Sequence, residues 1–139
     1  MSRLILRGAR FPGDIAIEDG KITALGTIEV LSGDSVLDCE GDIVTAGLVN
    51  THHHLYQWMT RGEATGCNLF DWLVHLYPVW NELTVEDVYI AALVGLGELA
   101  ATGCTTASDH HYLVPGGDDR VFDAIVEVKT SGRNRKNGL

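Results

Sequence analysis

The chain is poor in cysteine, short of positive charge and without a long apolar run, and each shortage excludes a class of protein. Cys39, Cys67 and Cys104 stand singly, with no Cys-x-x-Cys pair. Neither a disulfide framework nor a cysteine zinc site is indicated, and a reducing compartment, the cytoplasm, fits best. Ten Lys or Arg against nineteen Asp or Glu leave a net charge of −9, which argues against nucleic-acid binding by the body of the chain. The longest apolar stretch, Val88 to Ala101, is broken by Glu98, and the N-terminus interleaves Arg3, Arg7 and Arg10 with apolar residues. No membrane-spanning or targeting segment is expected.

What the chain does have is a histidine cluster. Gly47-Leu48-Val49-Asn50-Thr51-His52-His53-His54 follows the apolar pair Ile43-Val44. In a strand, side chains alternate between faces, so His52 and His54 project to one side, with backbones about 6.6 Å apart. Two imidazoles so placed can share a divalent ion, although a catalytic zinc site usually needs at least three protein ligands plus an open position. A run of three histidines also suits a solvated loop, an adventitious metal-binding tract or, for His53, a core imidazole.

Upstream of the histidines the pattern is that of short strands: Leu4-Ile5-Leu6, Asp14 to Glu18 and Lys21 to Gly26, with Asp19-Gly20 as a hairpin turn. Downstream it becomes helical. Asn68 caps a helix with Leu69, Trp72, Leu73, Leu76 and Trp80 at helical spacing, ended or kinked by Pro78. Thr84 and Asp87 form a capping-box start for a second helix, with Val88, Ala91, Ala92, Gly95, Leu96 and Leu99 inward and Gly103 as its stop. Cys104 to Ser108 reads as a strand, and Asp118 or Asp119 caps a third helix from Arg120 to about Val128. Strands alternating with helices imply parallel βα units, with ligands at the strand C-termini.

The segment Val44 to Leu55 resembles the first barrel strand of the amidohydrolase superfamily, whose pattern is Pro-Gly-aliphatic-aliphatic-Asp/Asn-x-His-x-His. Ala46 stands where proline is usual. The resemblance implies an α/β fold: the N-terminal part of a metal-dependent (β/α)8 barrel over residues 46–128, preceded at 1–45 by half of a small β-sandwich. It makes His52 and His54 metal ligands, with zinc the expected ion and iron or manganese possible alternatives.

Four further residues are candidates for substrate contact. Gln57 carries a carboxamide that both donates and accepts, suiting a heterocycle edge, against the bland reading of a surface amide. Asp109 and His110, in Asp109-His110-His111-Tyr112, match a Thr-Thr-x-x-Asp-His segment of relatives and are pocket candidates, against a plain polar loop. Trp80 stands where nucleoside-deaminating relatives tend to carry glutamate, so its indole disfavours a nucleoside, while Trp72 is expected in the core. Together these features resemble the superfamily branch that hydrolytically deaminates aromatic heterocycles, 8-oxoguanine deaminases first and hydroxytriazine aminohydrolases next. That branch implies a small heterocyclic substrate and water as partners, no nucleic acid, no membrane, and a homo-oligomeric full-length form.

A whole barrel takes about 250 residues, and the histidines and aspartate that relatives supply from later strands are not in this chain. It is therefore expected to be inactive alone, and a non-catalytic metal-binding fragment is the alternative. The composition also flips near the end: all nineteen acidic residues precede Lys129, and residues 129–139 hold four basic ones. That segment is expected to be a divergent tail that interrupts a helix, as a frameshift or truncated reading frame would produce.

Overall fold

The computed structural model describes residues 3–134, which divide into two units, one ending at Ala46 and the other beginning at Gly47. The first is a four-stranded sheet in the order β3-β2-β1-β4, made of β1 (Leu4–Arg7), β2 (Asp14–Glu18), β3 (Lys21–Gly26) and β4 (Ser35–Asp38). β1 runs antiparallel to β2, and β2 to β3. The β2–β3 turn is Asp19-Gly20, both at positive φ (49° and 74°), the conformation a two-residue hairpin needs to match strand twist. β4 has no counterpart in the sequence reading; it lies parallel to β1, with Ile5 opposite Val36. Ile5, Ala9, Ile15, Ala16 and Cys39 are buried in this unit.

The second unit holds β5 (Leu48–Asn50), a 3₁₀ helix (Leu55–Thr60), α1 (Leu69–Asn81), α2 (Val85–Ala101), β6 (Cys104–Ala107) and α3 (Arg120–Asn134). β5 and β6 pair in parallel, so α1 and α2 form the crossover. Gly47 permits their close approach: a Cβ there would stand 2.2 Å from the Thr105 side chain. Both expected N-caps form. Asn68 accepts the Asp71 N–H, and Thr84 and Asp87 satisfy one another's backbone donors as a capping box. The core gathers Leu55, Tyr56, Leu76, Trp80, Val88, Ala92, Leu113, Val121 and Ile125.

Three expectations are corrected. β5 stops at Asn50, so His52 and His54 are not strand residues; the Asn50 side chain accepts the His52 N–H at 3.0 Å and turns the chain out of the ladder. Of the two outcomes expected at Pro78, an end to α1 does not occur: the helix runs on to Asn81, and the one bond forgone in this last turn belongs to the carbonyl of solvent-exposed Val74. α3 continues past Val128 to Asn134, so the change of composition at Lys129 does not interrupt the helix; residues 135–139 of the expected tail lie outside the described residues. Among the described residues, no helix is long and apolar enough to cross a membrane.

Candidate metal centre

The histidines sit in the loop that follows β5, facing the loop that follows β6. His52 and His54 converge although neither is in a strand: their Nε2 atoms are 3.1 Å apart and their rings nearly perpendicular at 85°. Two nitrogens with that separation can each reach a shared ion at a bond length of roughly 2.0–2.1 Å, near the angles of tetrahedral coordination. His54 Nδ1 donates to the His110 carbonyl at 2.8 Å. A carbonyl only accepts, so neutral His54 carries its proton on Nδ1 and keeps the Nε2 lone pair for a metal. The pair therefore fits a borderline divalent ion such as zinc. Among the described residues no group of three His, Cys, Asp or Glu is gathered around one point, so the pair is an incomplete ligand set.

His53 turns to Trp58 rather than to the His52–His54 pair, and lines the cleft beside that pair. Its Nε2 accepts from Trp58 Nε1 at 3.4 Å, and burial pushes its pKa below the ordinary histidine value, favouring the neutral ring.

An open cleft of about 730 Å3 lies against the His52–His54 pair, within the size range of small-molecule sites. Gln57 lines it, as do Trp58, Arg61 and Trp72. The Arg61 guanidinium stacks 4.5 Å from the Trp58 ring centroid. Trp58 was not legible as a site residue, because it reaches the cleft from a 3₁₀ helix that follows the non-helical residue His54, where no α-helical spacing links the two.

Trp80 is not where the sequence reading put it. It is fully buried, packed edge-on against Tyr56, Trp72 and Tyr77, and its only donor is spent on the Thr60 hydroxyl at 2.9 Å. It presents neither a stacking face nor a free N–H to a ligand, whereas Trp72, expected in the core, packs half-buried against the core and also lines the cleft.

Asp109 and His110 do not line the cleft either. The Asp109 side chain is 4% exposed and its Oδ1 accepts the Leu55 N–H at 3.0 Å. His110 works through its backbone, donating to the His53 carbonyl at 2.8 Å and accepting from His54. Its own ring is exposed, 5.4 Å from that of His54 between centroids.

Residues 43–131 match the model of the amidohydrolase family. The chain belongs to that family. Among its relatives, this amidohydrolase chain is 47% identical over 121 residues to 8-oxoguanine deaminase from Pseudomonas aeruginosa, covering 84% of the chain and 27% of the relative. It is 40% identical over 103 residues to 5'-deoxyadenosine deaminase from Methanosarcina mazei, covering 73% of the chain and 24% of the relative. The chain thus spans about a quarter of the length of these two relatives. Its fold is similar to that of an atrazine chlorohydrolase mutant from Arthrobacter aurescens TC1, crystallised with zinc and atraton. The TM-score is 0.73 at 24% identity, over 92% of this amidohydrolase chain and 33% of that one.

Proposed function

We propose that the chain is part of a zinc-dependent aminohydrolase that removes an exocyclic amine from an aromatic heterocycle, with an 8-oxoguanine-type purine as substrate. The observation that carries this reading is the convergence of His52 and His54, with His54 Nδ1 committed to a carbonyl and its Nε2 turned toward its partner. The purine assignment is supported by the 47% identity to a protein that deaminates that base. The remaining ligands and the proton-transfer groups belong to parts of the complete barrel enzyme beyond these residues.

A bound zinc would supply Lewis acidity and would lower the pKa of a water toward neutrality. The chain's own residues do the rest of what lies here. His52 and His54 hold the ion. Trp58 and Trp72 give the cleft flat apolar surface for a planar ring, and Gln57 can donate to and accept from the ring edge.

The test is ammonia release from 8-oxoguanine, 5'-deoxyadenosine and a hydroxylated triazine by the complete zinc-loaded protein containing this chain. The reading expects kcat/KM for 8-oxoguanine to exceed the other two by at least about tenfold, as polar recognition of a ring edge allows. Turnover of only the nucleoside or the triazine rejects the substrate assignment. No turnover of any of the three rejects the deaminase reading.

A further inference from the structure

We infer that Asp109 is a positioning residue for the metal pair, acting through the backbone that carries His54. Resting on the metal-site reading above, the inference concerns how the chain holds His54 in its ligand form. Three hydrogen bonds join residues 53–55 to residues 109–110: the His110 N–H to the His53 carbonyl at 2.8 Å, His54 Nδ1–H to the His110 carbonyl at 2.8 Å, and the Leu55 N–H to Asp109 Oδ1 at 3.0 Å. The middle one fixes the His54 tautomer, and the outer two fix the distance across which it forms.

Of the three, only the Asp109 bond depends on a side chain that is not itself a candidate ligand. Its carboxylate is buried, so the Leu55 N–H has no ready replacement by water when the acceptor is removed. β5 has already ended at Asn50, and beyond the bond from the Ser108 N–H to the Asn50 carbonyl no regular ladder continues to hold the two loops in register. The clasp takes over where the sheet stops. Truncating Asp109 frees the start of the 3₁₀ helix at Leu55, lets the His54 backbone drift from His110, and releases Nδ1 from its carbonyl. The proton on His54 then exchanges between Nδ1 and Nε2, and the Nε2 lone pair is no longer held for a metal.

The experiment is nitrogen-15 NMR of the histidine rings in the metal-free 139-residue chain, with zinc affinity measured separately by chelator competition on the complete protein containing this chain, for the wild type, Asp109→Asn and Asp109→Ala. The wild type is expected to show His54 as the Nδ1–H tautomer. Asp109→Asn retains an acceptor oxygen and should keep that signature with zinc affinity within about twofold, whereas Asp109→Ala should show mixed tautomers and bind zinc about 10–100-fold more weakly, the usual effect of removing an outer-shell partner. A folded Asp109→Ala chain with the wild-type His54 signature overturns the inference. If the alanine variant does not fold, Asp109→Leu, of similar size but without an acceptor, decides it: a lost signature supports the clasp and a retained one overturns it. Absence of zinc binding by the complete wild-type protein would reject the metal reading while leaving the tautomer result standing, so the two failures are distinguishable.

Discussion

A Cβ placed on Gly95 of α2 would stand 2.7 Å from Nε1 of Trp58, the indole that lines the cleft and donates to His53. The same Cβ would lie 2.8 Å from Leu55 Cδ2, so the 3₁₀ helix rests on α2 at a point where only hydrogen fits. Two effects oppose one another in Gly95→Ala. Helix propensity favours alanine by up to about 1 kcal/mol, while overpacking a buried contact costs about 1–3 kcal/mol. The clash should win, lowering the thermal midpoint by several degrees. Gly97, two residues on, meets nothing within 4 Å, so Gly97→Ala should raise the midpoint instead. A pair of melting curves checks both signs, and a stabilised Gly95→Ala chain would mean Trp58 moves aside freely.

Gly47 and Thr105 set the separation of β5 and β6 in the same way. The Cβ of alanine at 47 would meet Thr105 Cγ2 at 2.2 Å and Thr105 Cβ at 2.7 Å, so rotating the threonine does not relieve it. Gly47→Ala should destabilise the second unit by about 1–3 kcal/mol. Adding Thr105→Ala, which removes the two nearest atoms but keeps the Cβ, should restore part of the loss, and adding Thr105→Gly, which removes the Cβ as well, should restore more. Urea unfolding of the three variants reads this directly; equal rescue by alanine and glycine would contradict it.

Trp80→Phe should cost about 1–3 kcal/mol, from the lost bond to Thr60 and the space left beside Tyr56 and Trp72. Because Trp80 has no surface on the cleft, the ratio of kcat/KM values for different heterocycles in the complete enzyme should stay within about twofold, while Trp72→Phe should change it by more, its indole being a cleft wall. A selectivity change for Trp80→Phe that exceeds the one for Trp72→Phe would restore the reading in which Trp80 faces the substrate.

The contrast between these two tryptophans shows what a linear reading could and could not reach. Asp19-Gly20, Asn68 and the Thr84/Asp87 box were legible because each is satisfied by atoms within three or four residues. Trp72 and Trp80 share the apolar stripe of α1, and which of them meets the cleft depends on where the 3₁₀ helix packs, a contact set by Gly95 far along the chain. β4 was invisible for a related reason: Ser35 to Asp38 has no alternation and becomes a strand only by pairing with Leu4 to Arg7. That His52 and His54 come together was expected from their spacing, but the reason offered was a strand, and what accompanies their convergence is an asparagine turn and the hydrogen bonds to residues 109–110.

Acid should destabilise the first unit through Asp14 and Asp34. The amides of Gly8 and Ile28 donate to Asp14, and the Arg3 guanidinium, followed by the Leu31 amide, donates to Asp34; both carboxyls are held below their ordinary value of 3.8. A carboxyl whose pKa is lower folded than unfolded stabilises the fold fully above the unfolded value and loses that contribution as pH falls through the folded one. The denaturation midpoint followed at amide signals of β1 and β2 should therefore be flat from about pH 7 to pH 5 and fall below about pH 4. Asp14→Asn keeps one acceptor and removes the charge, so it should be less stable than wild type at pH 7 and lose less on acidification. A midpoint unchanged down to pH 2.5, or an equal acid loss in wild type and Asp14→Asn, would show that Asp14 does not stabilise the sheet through its charge.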